Sequence, residues 1–489
     1  MAVLEWPLSR ATYPGHHYRE VRGMETEVIQ RAGRARRRRL LGGAGVLFGA
    51  GVGGAALAAC APGGGGSATG AVPTPARGPQ SIDVVTRNGV SAASGHSQFY
   101  DKQAKALFTP ETQITVNFVD AQPDVGQKLT VLAAGGTPPD GSWFGLLADG
   151  SAGREQALKG IFRPLDDLLK RDGRFDRAPY FKPILDAMTV DGKLFGLPTH
   201  GHFGTNVLYY NKNLTRAAGV NVPDDGAWSI DDFVVAAQKL VKRDQDQWGY
   251  NSPWGFPEFG VFYLRQYGGE WLDEAGKRSL LDSAEARAGL EWIYNTQAKF
   301  QTIDSHYRAD AKGFDTLFVE GKLGFVNWTP GYTAQWKAPG PDQITPANGK
   351  FELGVALFPR GVNGRRGTQV SGSGMGLTSQ TKQDAVWQWL KFATDRRSGV
   401  EQVFGGAGSP GARTDVWQDP KLLSFDPIYT TISKAFPQGP GALRLPANNR
   451  YVDLLKATTD ELTPLFRGQT GVQDAAGKAV AACNAILGQ

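Results

Sequence analysis

From residue 81 onward the chain alternates short apolar, β-branched stretches with stretches of helical periodicity, and this alternation limits the folds that it can adopt. Residues 81–86 and 114–119 have the composition of strands. Residues 97–108 and 124–134 have the spacing of helices, and the second of these ends at Gly135-Gly136. Because the order strand–helix–strand–helix is typical of a parallel sheet covered by helices, we expect an α/β protein.

The same pattern continues through the rest of the chain, and no internal repeat is visible. Ser229 is a good helix N-cap, and Asp231 and Asp232 after it favour the positive end of the helix dipole. The further elements that the pattern predicts are helices at 164–172, 229–243, 284–300, 312–320, 382–395 and 450–489, and strands at 323–327 and 353–357.

The first 59 residues have the features of an export signal. Four consecutive arginines, Arg36–Arg39, precede a run from Leu40 to Ala59 that contains no charged residue. A positively charged region followed by an apolar region is typical of a signal peptide. The run ends in Leu57-Ala58-Ala59-Cys60, which resembles the bacterial lipobox, where the cysteine thiol receives a diacylglyceryl group. We therefore expect residues 1–59 to be removed and Cys60 to be lipidated.

The export route has more than one interpretation. The arginines and the apolar pair after them resemble a twin-arginine signal, which is read by a receptor that exports folded proteins. Leu40 stands where that signal usually has Phe, so the general secretory route is the alternative. A true start at Met24 explains the long segment before the arginines. A permanent transmembrane helix competes with cleavage, since about twenty apolar residues span a bilayer, but the many glycines and the position of Cys60 favour cleavage.

The basic character of the chain belongs to this amino-terminal segment. The net charge is +6, and the first 59 residues hold nine of the 53 Lys and Arg but only four of the 47 Asp and Glu. The remainder is nearly neutral, so we expect no nucleic-acid partner. Residues 61–80 are almost entirely Gly, Pro, Ala, Ser and Thr, which predicts that 60–80 form a lipid anchor and a flexible tether.

Several segments, in order along the chain, resemble the family of bacterial extracellular solute-binding proteins, which deliver sugars and related solutes to ABC importers. The most specific are Asp191-Gly192-Lys193-Leu194-Phe195-Gly196-Leu197-Pro198 and Val207-Leu208-Tyr209-Tyr210-Asn211-Lys212. Further matching segments are 132–140, 160–168, 218–233, 318–328, 356–359, 372–377 and 385–392. The resemblance covers roughly residues 81–415. The chain departs from the family at Gly141, where Val is usual, and at Gly324-Phe325, where Ala-Met is common.

The resemblance implies a two-lobed, type II periplasmic-binding-protein-like fold, in which each lobe is a mostly parallel sheet flanked by helices. By analogy, residues 81–200 plus 366–415 form the first lobe, and residues 206–360 plus 425–489 form the second. A small solute binds in the cleft at the hinge, and the lobes close around it by a hinge motion. The closed form is what the permease subunits of the importer recognise.

The implied function is a substrate-binding lipoprotein rather than an enzyme, monomeric and without a cofactor or metal. It is expected on the outer face of the cytoplasmic membrane, held by its lipid, or in the periplasm.

Carbohydrate is the preferred ligand class, because a sugar needs aromatic platforms for its C–H face and fixed polar groups for its hydroxyls. Eleven of the 12 Trp lie beyond the export signal. Trp328 matches the family's cleft aromatic, and Tyr332 follows one helical turn later. Trp143 follows the Pro-Asp turn, Trp271 follows a Gly-Gly-Glu turn, and Trp254 lies in a loop flanked by prolines. For every Trp, packing in the core is the alternative.

The polar candidates lie at strand ends or where the chain crosses between lobes. Gly372 and Ser373 combine exposed backbone with a hydroxyl in a predicted ligand loop, for which a plain turn is the alternative. His200 and His202 fall at the first crossover between the lobes, where we expect them to hydrogen-bond the solute. Arg413 is either a ligand donor or a salt-bridge partner at the hinge. The full set is Asn88, Asp120, His200, Gly372, Ser373 and Arg413.

Other classes of site have little support in the sequence. His200 and His202 lack the further nearby ligands that a metal needs, and no His-Glu-x-x-His, Walker A or Gly-x-Ser-x-Gly motif is present. An exported, lipid-anchored glycoside hydrolase is the main alternative, because its two carboxylates are defined by their separation in space rather than by a motif. A binder of a polyol, glycerol phosphate, polyamine or peptide is the other alternative on the same architecture.

Overall fold

The structure is a computed structural model of the chain. It describes residues 80–86, 95–119, 125–146, 153–204, 206–251, 258–296, 314–330, 350–405, 410–426, 428–435 and 450–488. The predicted export signal, the lipobox with Cys60 and most of the tether lie outside these residues.

Eleven strands in the described part of the chain form two main sheets and a two-stranded hairpin. They are β1 (Gln80–Val85), β2 (Ile114–Val119), β3 (Gly141–Gly145), β4 (Thr189–Val190), β5 (Lys193–Leu194), β6 (Gly196–Gly204), β7 (Val207–Asn211), β8 (Trp248–Asn251), β9 (Leu323–Trp328), β10 (Leu353–Leu357) and β11 (Gln369–Leu377).

The first sheet has five strands in the order β2-β1-β3-β11-β6. β1 pairs in parallel with β2 and β3, as expected for the strand–helix–strand start of the chain. β11 runs antiparallel to both β3 and β6 and fills the place between them. The sheet is therefore complete only when a strand from far along the sequence is inserted.

The second sheet has four strands in the order β10-β7-β9-β8. β7 pairs antiparallel with β10 and with β9, and β8 pairs in parallel with β9. Its strands are almost wholly buried: Val207–Asn211 has every residue covered. Such strands read as continuous apolar runs because both faces of the sheet are packed.

Each main sheet is mostly parallel, as expected from the family resemblance: one strand, β11 in the first sheet and β7 in the second, runs against the others. The antiparallel pairings of these two sheets all involve β7 or β11. β7 and β11 each follow a segment that crosses from one sheet to the other. Such segments are not constrained to the strand–helix–strand connection that makes neighbouring strands parallel.

Eighteen α-helices flank the sheets in the described residues. They are α1 (Gly95–Gln103), α2 (Thr109–Thr112), α3 (Val125–Ala134), α4 (Gly153–Leu158), α5 (Asp166–Arg171), α6 (Lys182–Ala187), α7 (Lys212–Ala217), α8 (Ile230–Gln238), α9 (Glu258–Gln266), α10 (Ala284–Tyr294), α11 (Phe314–Val319), α12 (Gln383–Ala393), α13 (Arg396–Phe404), α14 (Thr414–Trp417), α15 (Pro420–Phe425), α16 (Ile428–Ala435), α17 (Tyr451–Phe466) and α18 (Val472–Leu487).

Helix ends follow local chemistry where the sequence has a clear signal. Ser229 caps α8 by accepting a hydrogen bond from the backbone N–H of Asp232, and the Asp232 carboxylate accepts one from the N–H of Ser229.

The prediction of a single helix over 450–489 is wrong, because this segment forms two helices, α17 and α18. Gly468, with φ of +69°, lies in the turn between them, and an L-residue other than glycine is strained in that conformation.

The chain passes between the two sheets along neighbouring paths. It leaves the first sheet between Gly204 and Val207 and returns between Leu357 and Gln369. The two paths are joined where the N–H of Phe358 donates to the carbonyl of Asn206 at 3.1 Å. The pairing of β10 with β7 on one side and of β11 with β6 on the other continues this contact into both sheets.

The return path is fixed to α9 by one fully buried amide. Gln266 donates from Nε2 to the carbonyl of Pro359, and its Oε1 accepts from the N–H groups of Gly361 and Gly367. The preceding residue, Arg265, donates from its side chain to the carbonyl of Thr368 and forms an ion pair with Glu270. Backbone groups that face protein are thus satisfied along most of the path.

We expect Gly361→Ala to lower the free energy of unfolding by about 1–3 kcal/mol. A Cβ at this position would lie 2.1 Å from the carbonyl oxygen of Gln266, so the path would have to move away from the side chain that fixes it. Thermal melting measures the change. Gly477→Ala on α18 is the matched control: nothing lies within 4 Å of its Cβ position, and relief of glycine in a helix should raise stability by about 0.5–1 kcal/mol. An unaltered melt for Gly361→Ala contradicts this account.

Candidate functional site

Two of the candidate residues, Trp143 and His200, come together around the first sheet with a third residue, His96. Trp143 of β3 and His200 of β6 are stacked, with ring centroids 5.4 Å apart and an angle of 22° between the planes. His96, in the first turn of α1, lies 4.9 Å from His200 and 6.1 Å from Trp143. All three side chains are buried. We call His96, Trp143 and His200 the histidine–tryptophan cluster.

The cluster is held by polar contacts as well as by ring packing. The hydroxyl of Thr199 lies 3.3 Å from Nδ1 of His200 and donates to the carbonyl of Ser373 on β11. The carbonyl of Thr199 in turn accepts from the amide of Gln402 on α13. The backbone around His200 is therefore rigidly placed. His96 was not identified from the sequence, since the chain offers no motif that would connect it with the distant β6.

His202, two residues further along β6, has an unusual environment. Its side chain is 2% exposed, and neither ring nitrogen has a hydrogen-bond partner among the described residues. Burial lowers the pKa of His202 to about 3, so the imidazole is neutral at physiological pH. A neutral imidazole carries one N–H donor and one acceptor nitrogen.

Trp328 lies at the end of β9, paired in the sheet with Val207, the first residue after the chain enters the second sheet. Its side chain is half-buried. One face packs on Phe259 of α9, with ring centroids 4.9 Å apart and 29° between the planes. This packing fixes the plane of the indole beside the crossing paths.

A buried hydroxyl network lies under this part of the second sheet. The hydroxyls of Tyr250 and Tyr263 are 2.7 Å apart, and the amide of Asn327 donates to the Tyr263 oxygen at 2.9 Å. Since Asn327 directly precedes Trp328, the network fixes the backbone that carries the indole. The sequence contains a sign of this arrangement, because Phe259, Phe262 and Tyr263 form an aromatic series on one helix. The series alone does not show whether these residues support a binding site or pack in the hydrophobic core.

Trp271 packs against the carboxy-terminal helices. Its indole is 1% exposed and donates to the hydroxyl of Thr458 on α17 at 3.1 Å. Thr458 also lies 3.2 Å from the sulfur of Cys483 on α18. The indole is thus part of the packing of this helical layer, and its contact with a solute stays a prediction.

Gly372 and Ser373 do not form a loop, contrary to expectation. Both lie in β11, paired with β6. Gly372 has φ of +156°, and a Cβ there would lie 2.6 Å from the carbonyl oxygen of His200. Glycine is therefore required by the close approach of two strands. Ser373 is buried at the point where the pairing register shifts.

Arg413 forms an ion pair with a residue close to it in the sequence. Its guanidinium donates to both oxygens of Asp415, at 2.9 and 2.7 Å, and lies 4.7 Å from the ring centroid of Tyr180. A bidentate pair of this kind directs the donors of arginine to the carboxylate. The other predicted site residues, Asn88, Asp120, Trp254 and Tyr332, lie outside the described residues.

The described residues offer neither a metal site nor a membrane-spanning helix. Within the described ranges, no group of three or more His, Cys, Asp or Glu is arranged to hold a metal ion. None of the described helices has the length and apolar character needed to cross a membrane.

Comparisons with known proteins identify the family of the chain. Residues 92–399 match the sequence profile described as bacterial extracellular solute-binding protein. The arabinooligosaccharide-binding protein of Bacillus subtilis (strain 168) is 25% identical over 339 residues, which are 67% of this chain and 73% of that protein. The mannitol-binding protein of Pseudomonas aeruginosa is 24% identical over 336 residues, which are 63% of this chain and 71% of that protein.

Among solved structures, an ABC substrate-binding protein from Listeria monocytogenes in complex with cycloalternan superposes with a TM-score of 0.68 at 19% sequence identity. The match covers 84% of this chain and 100% of that chain. It confirms the two-lobed fold predicted from the sequence. Since the family profile matches more than half of the residues, the chain belongs to the bacterial extracellular solute-binding protein family, whose members are exported binding proteins.

Proposed function

We propose that this protein is the substrate-binding lipoprotein of an ABC importer and that it captures a neutral carbohydrate or polyol between its two lobes. The observation that carries the proposal is Trp328, a half-buried indole held flat on Phe259 beside the path between the sheets. An aromatic ring with one supported face and a fixed orientation is suited to the C–H face of a sugar. The permease subunits of the importer are the proposed partners.

The class of solute is inferred from the relatives and from the chemistry of the region. The names of the two relatives specify arabino-oligosaccharides and mannitol, and the Listeria structure holds cycloalternan. All of these are neutral and rich in hydroxyl groups. The described residues that we assign to the site are aromatic or neutral polar, which favours such a solute over an ionic one.

The proposed site combines Trp328 from the second sheet with His200 and Ser373 from the first. Trp143 fixes the orientation of His200, because the two rings are stacked with their centroids 5.4 Å apart. In this arrangement Trp328 supplies the apolar platform, and the imidazole and hydroxyl supply polar contacts.

The two lobes are assigned from the sheets. We propose residues 81–200 plus 366–415 as the first lobe, supported by the membership of β1, β2, β3 and β11 in the five-stranded sheet. Residues 206–360 plus 425–489 are proposed as the second, supported by the four-stranded sheet and by the packing of α17 and α18 on α10. Solute stabilises the closed form to the extent that it contacts both lobes there.

The proposed location is the outer face of the cytoplasmic membrane. The basic and apolar segments before Cys60 support export, and the lipobox-like sequence supports attachment by lipid. A twin-arginine route fits the arginine run. In this proposal the protein carries out no chemical reaction on its solute.

The first experiment is a thermal-shift screen of the purified chain, without its export signal, against mannitol, maltotriose, an arabino-oligosaccharide, glycerol 3-phosphate and spermidine. We expect at least one neutral compound to raise the melting temperature by several degrees at a concentration about 100 times its Kd, because it binds the folded state alone. The charged compounds should produce no shift. A shift with the charged compounds only would contradict the neutral-solute proposal.

The same samples are analysed for products by chromatography after long incubation. Intact oligosaccharide supports a binding protein. Release of shorter sugars would identify a glycoside hydrolase and overturn the proposal.

Trp328→Ala should weaken binding of the best neutral compound by about 100-fold or more, which corresponds to loss of about 3 kcal/mol of stacking and burial. Isothermal titration calorimetry measures the affinity. Trp228→Ala is the matched control, since Trp228 is also a half-buried indole of the second lobe but packs edge to face on Phe325 instead of lying nearly flat on Phe259. Equal losses in both variants, or none in Trp328→Ala, would remove Trp328 from the site.

Cys60→Ser should release the protein from the membrane fraction of the producing cell, because a serine cannot form the thioether to the lipid. Cell fractionation and immunoblotting provide the measurement. Cys483→Ala is the control: its sulfur is buried against Thr458, so the variant keeps the lipid and stays with the membrane. Retention of Cys60→Ser in the membrane would refute lipidation at this residue and favour an uncleaved apolar segment.

A further inference from the structure

The side chain of His202 is a buried polar group in a region where several neighbouring polar groups are paired. Thr199 donates to the carbonyl of Ser373, and Gln402 donates to the carbonyl of Thr199. His202 is as deeply buried as these residues, yet both of its ring nitrogens lack a hydrogen-bond partner within the described part of the chain. Because an unpaired buried polar group is costly, each case in a native protein requires an explanation.

The place of His202 in the fold suggests an explanation for its unpaired nitrogens. It lies two residues before β6 ends and the chain leaves for the second sheet. Its strand neighbour is Ser371 on β11, close to where the return path enters the first sheet. The preceding residue, Gly201, donates from its N–H to the carbonyl of Pro410, in the third segment that approaches the junction. His202 is thus located where the connections between the lobes converge.

The chemistry of the ring restricts what can bind there. With its pKa lowered to about 3 by burial, the imidazole stays neutral and offers one donor and one acceptor at opposite edges. A hydroxyl group donates and accepts at once, so hydroxyls at two separate positions of a polyhydroxylated solute match both nitrogens. An ammonium group offers donors only and a carboxylate acceptors only, and each would leave one nitrogen unpaired.

We infer that His202 is a specificity-determining residue, which forms hydrogen bonds through both ring nitrogens to hydroxyl groups of the bound solute and selects against charged solutes. This inference rests on the proposed function and adds to it a residue and a chemical criterion. Before solute is added, the imidazole contributes nothing favourable to the stability of the fold, because it is retained for binding.

The first test is the melting temperature of His202→Leu in the absence of solute. Leucine removes both unpaired nitrogens while keeping the volume of the side chain similar, so we expect the melting temperature to stay the same or rise by about 1–3 °C. Gln402→Leu is the matched control, because it removes a buried amide whose bonds are made. It should lower the melting temperature by about 2–6 °C.

The second test is calorimetric binding of the neutral compound that gives the largest shift in the screen. His202→Leu should weaken its binding by about 10- to 100-fold, since two hydrogen bonds are lost. His202→Gln retains a donor and an acceptor and should bind within about fivefold of the wild type. Gln402→Leu serves only the melting comparison, because its amide holds the strand that carries His200.

The outcomes separate this inference from the proposed function. A fall in the melting temperature of His202→Leu as large as that of Gln402→Leu, or failure to fold, assigns His202 a structural role and overturns the inference. Wild-type affinity in His202→Leu also overturns it while leaving solute binding intact. If no neutral compound binds the wild-type protein, the proposed function fails and the inference fails with it.

Discussion

The pairing of β6 with β11 is the contact on which the rest of the structure depends. β6 is the last strand before the chain leaves the first sheet, and β11 is the first strand after it returns. Their pairing, together with that of β7 and β10, holds two crossing paths side by side. The close approach of the strands at Gly372 leaves no room for a side chain. Any residue larger than glycine there would separate the paths and change the angle between the sheets.

The return path has little freedom of its own. Gln266 and Arg265 of α9 occupy the backbone groups of the path from Pro359 to Thr368. The long connection is therefore bound to α9 along most of its length, and in the proposed hinge motion the changes of backbone angle would concentrate in the few residues next to β6 and β11. The same short segments carry His202 and Ser373, so proposed solute contacts and bending points coincide.

Much of the fold was predictable because it follows from local periodicity. The strand Ile114–Val119 has the predicted bounds, and the cap of α8 at Ser229 follows from a few adjacent residues. The site was less predictable, because the burial of an indole depends on residues that are far away in the sequence. Trp271 was expected in the cleft from the turn before it, and its partner Thr458 is 187 residues further along. Gly372 was interpreted as a loop residue, whereas the requirement for glycine comes from a neighbouring strand.

The position of β11 has a consequence for synthesis of the protein. The strand occupies the interior of the first sheet, between β3 and β6, although it follows all strands of the second sheet in sequence. During translation β3 and β6 therefore have no partner between them until residues 369–377 have emerged from the ribosome. The amino-terminal half cannot finish folding ahead of the carboxy-terminal half, as independent domains do. Its exposed strand edges must be protected while the residues between β6 and the end of β11 are being made, and chaperone binding in this interval is the expected solution.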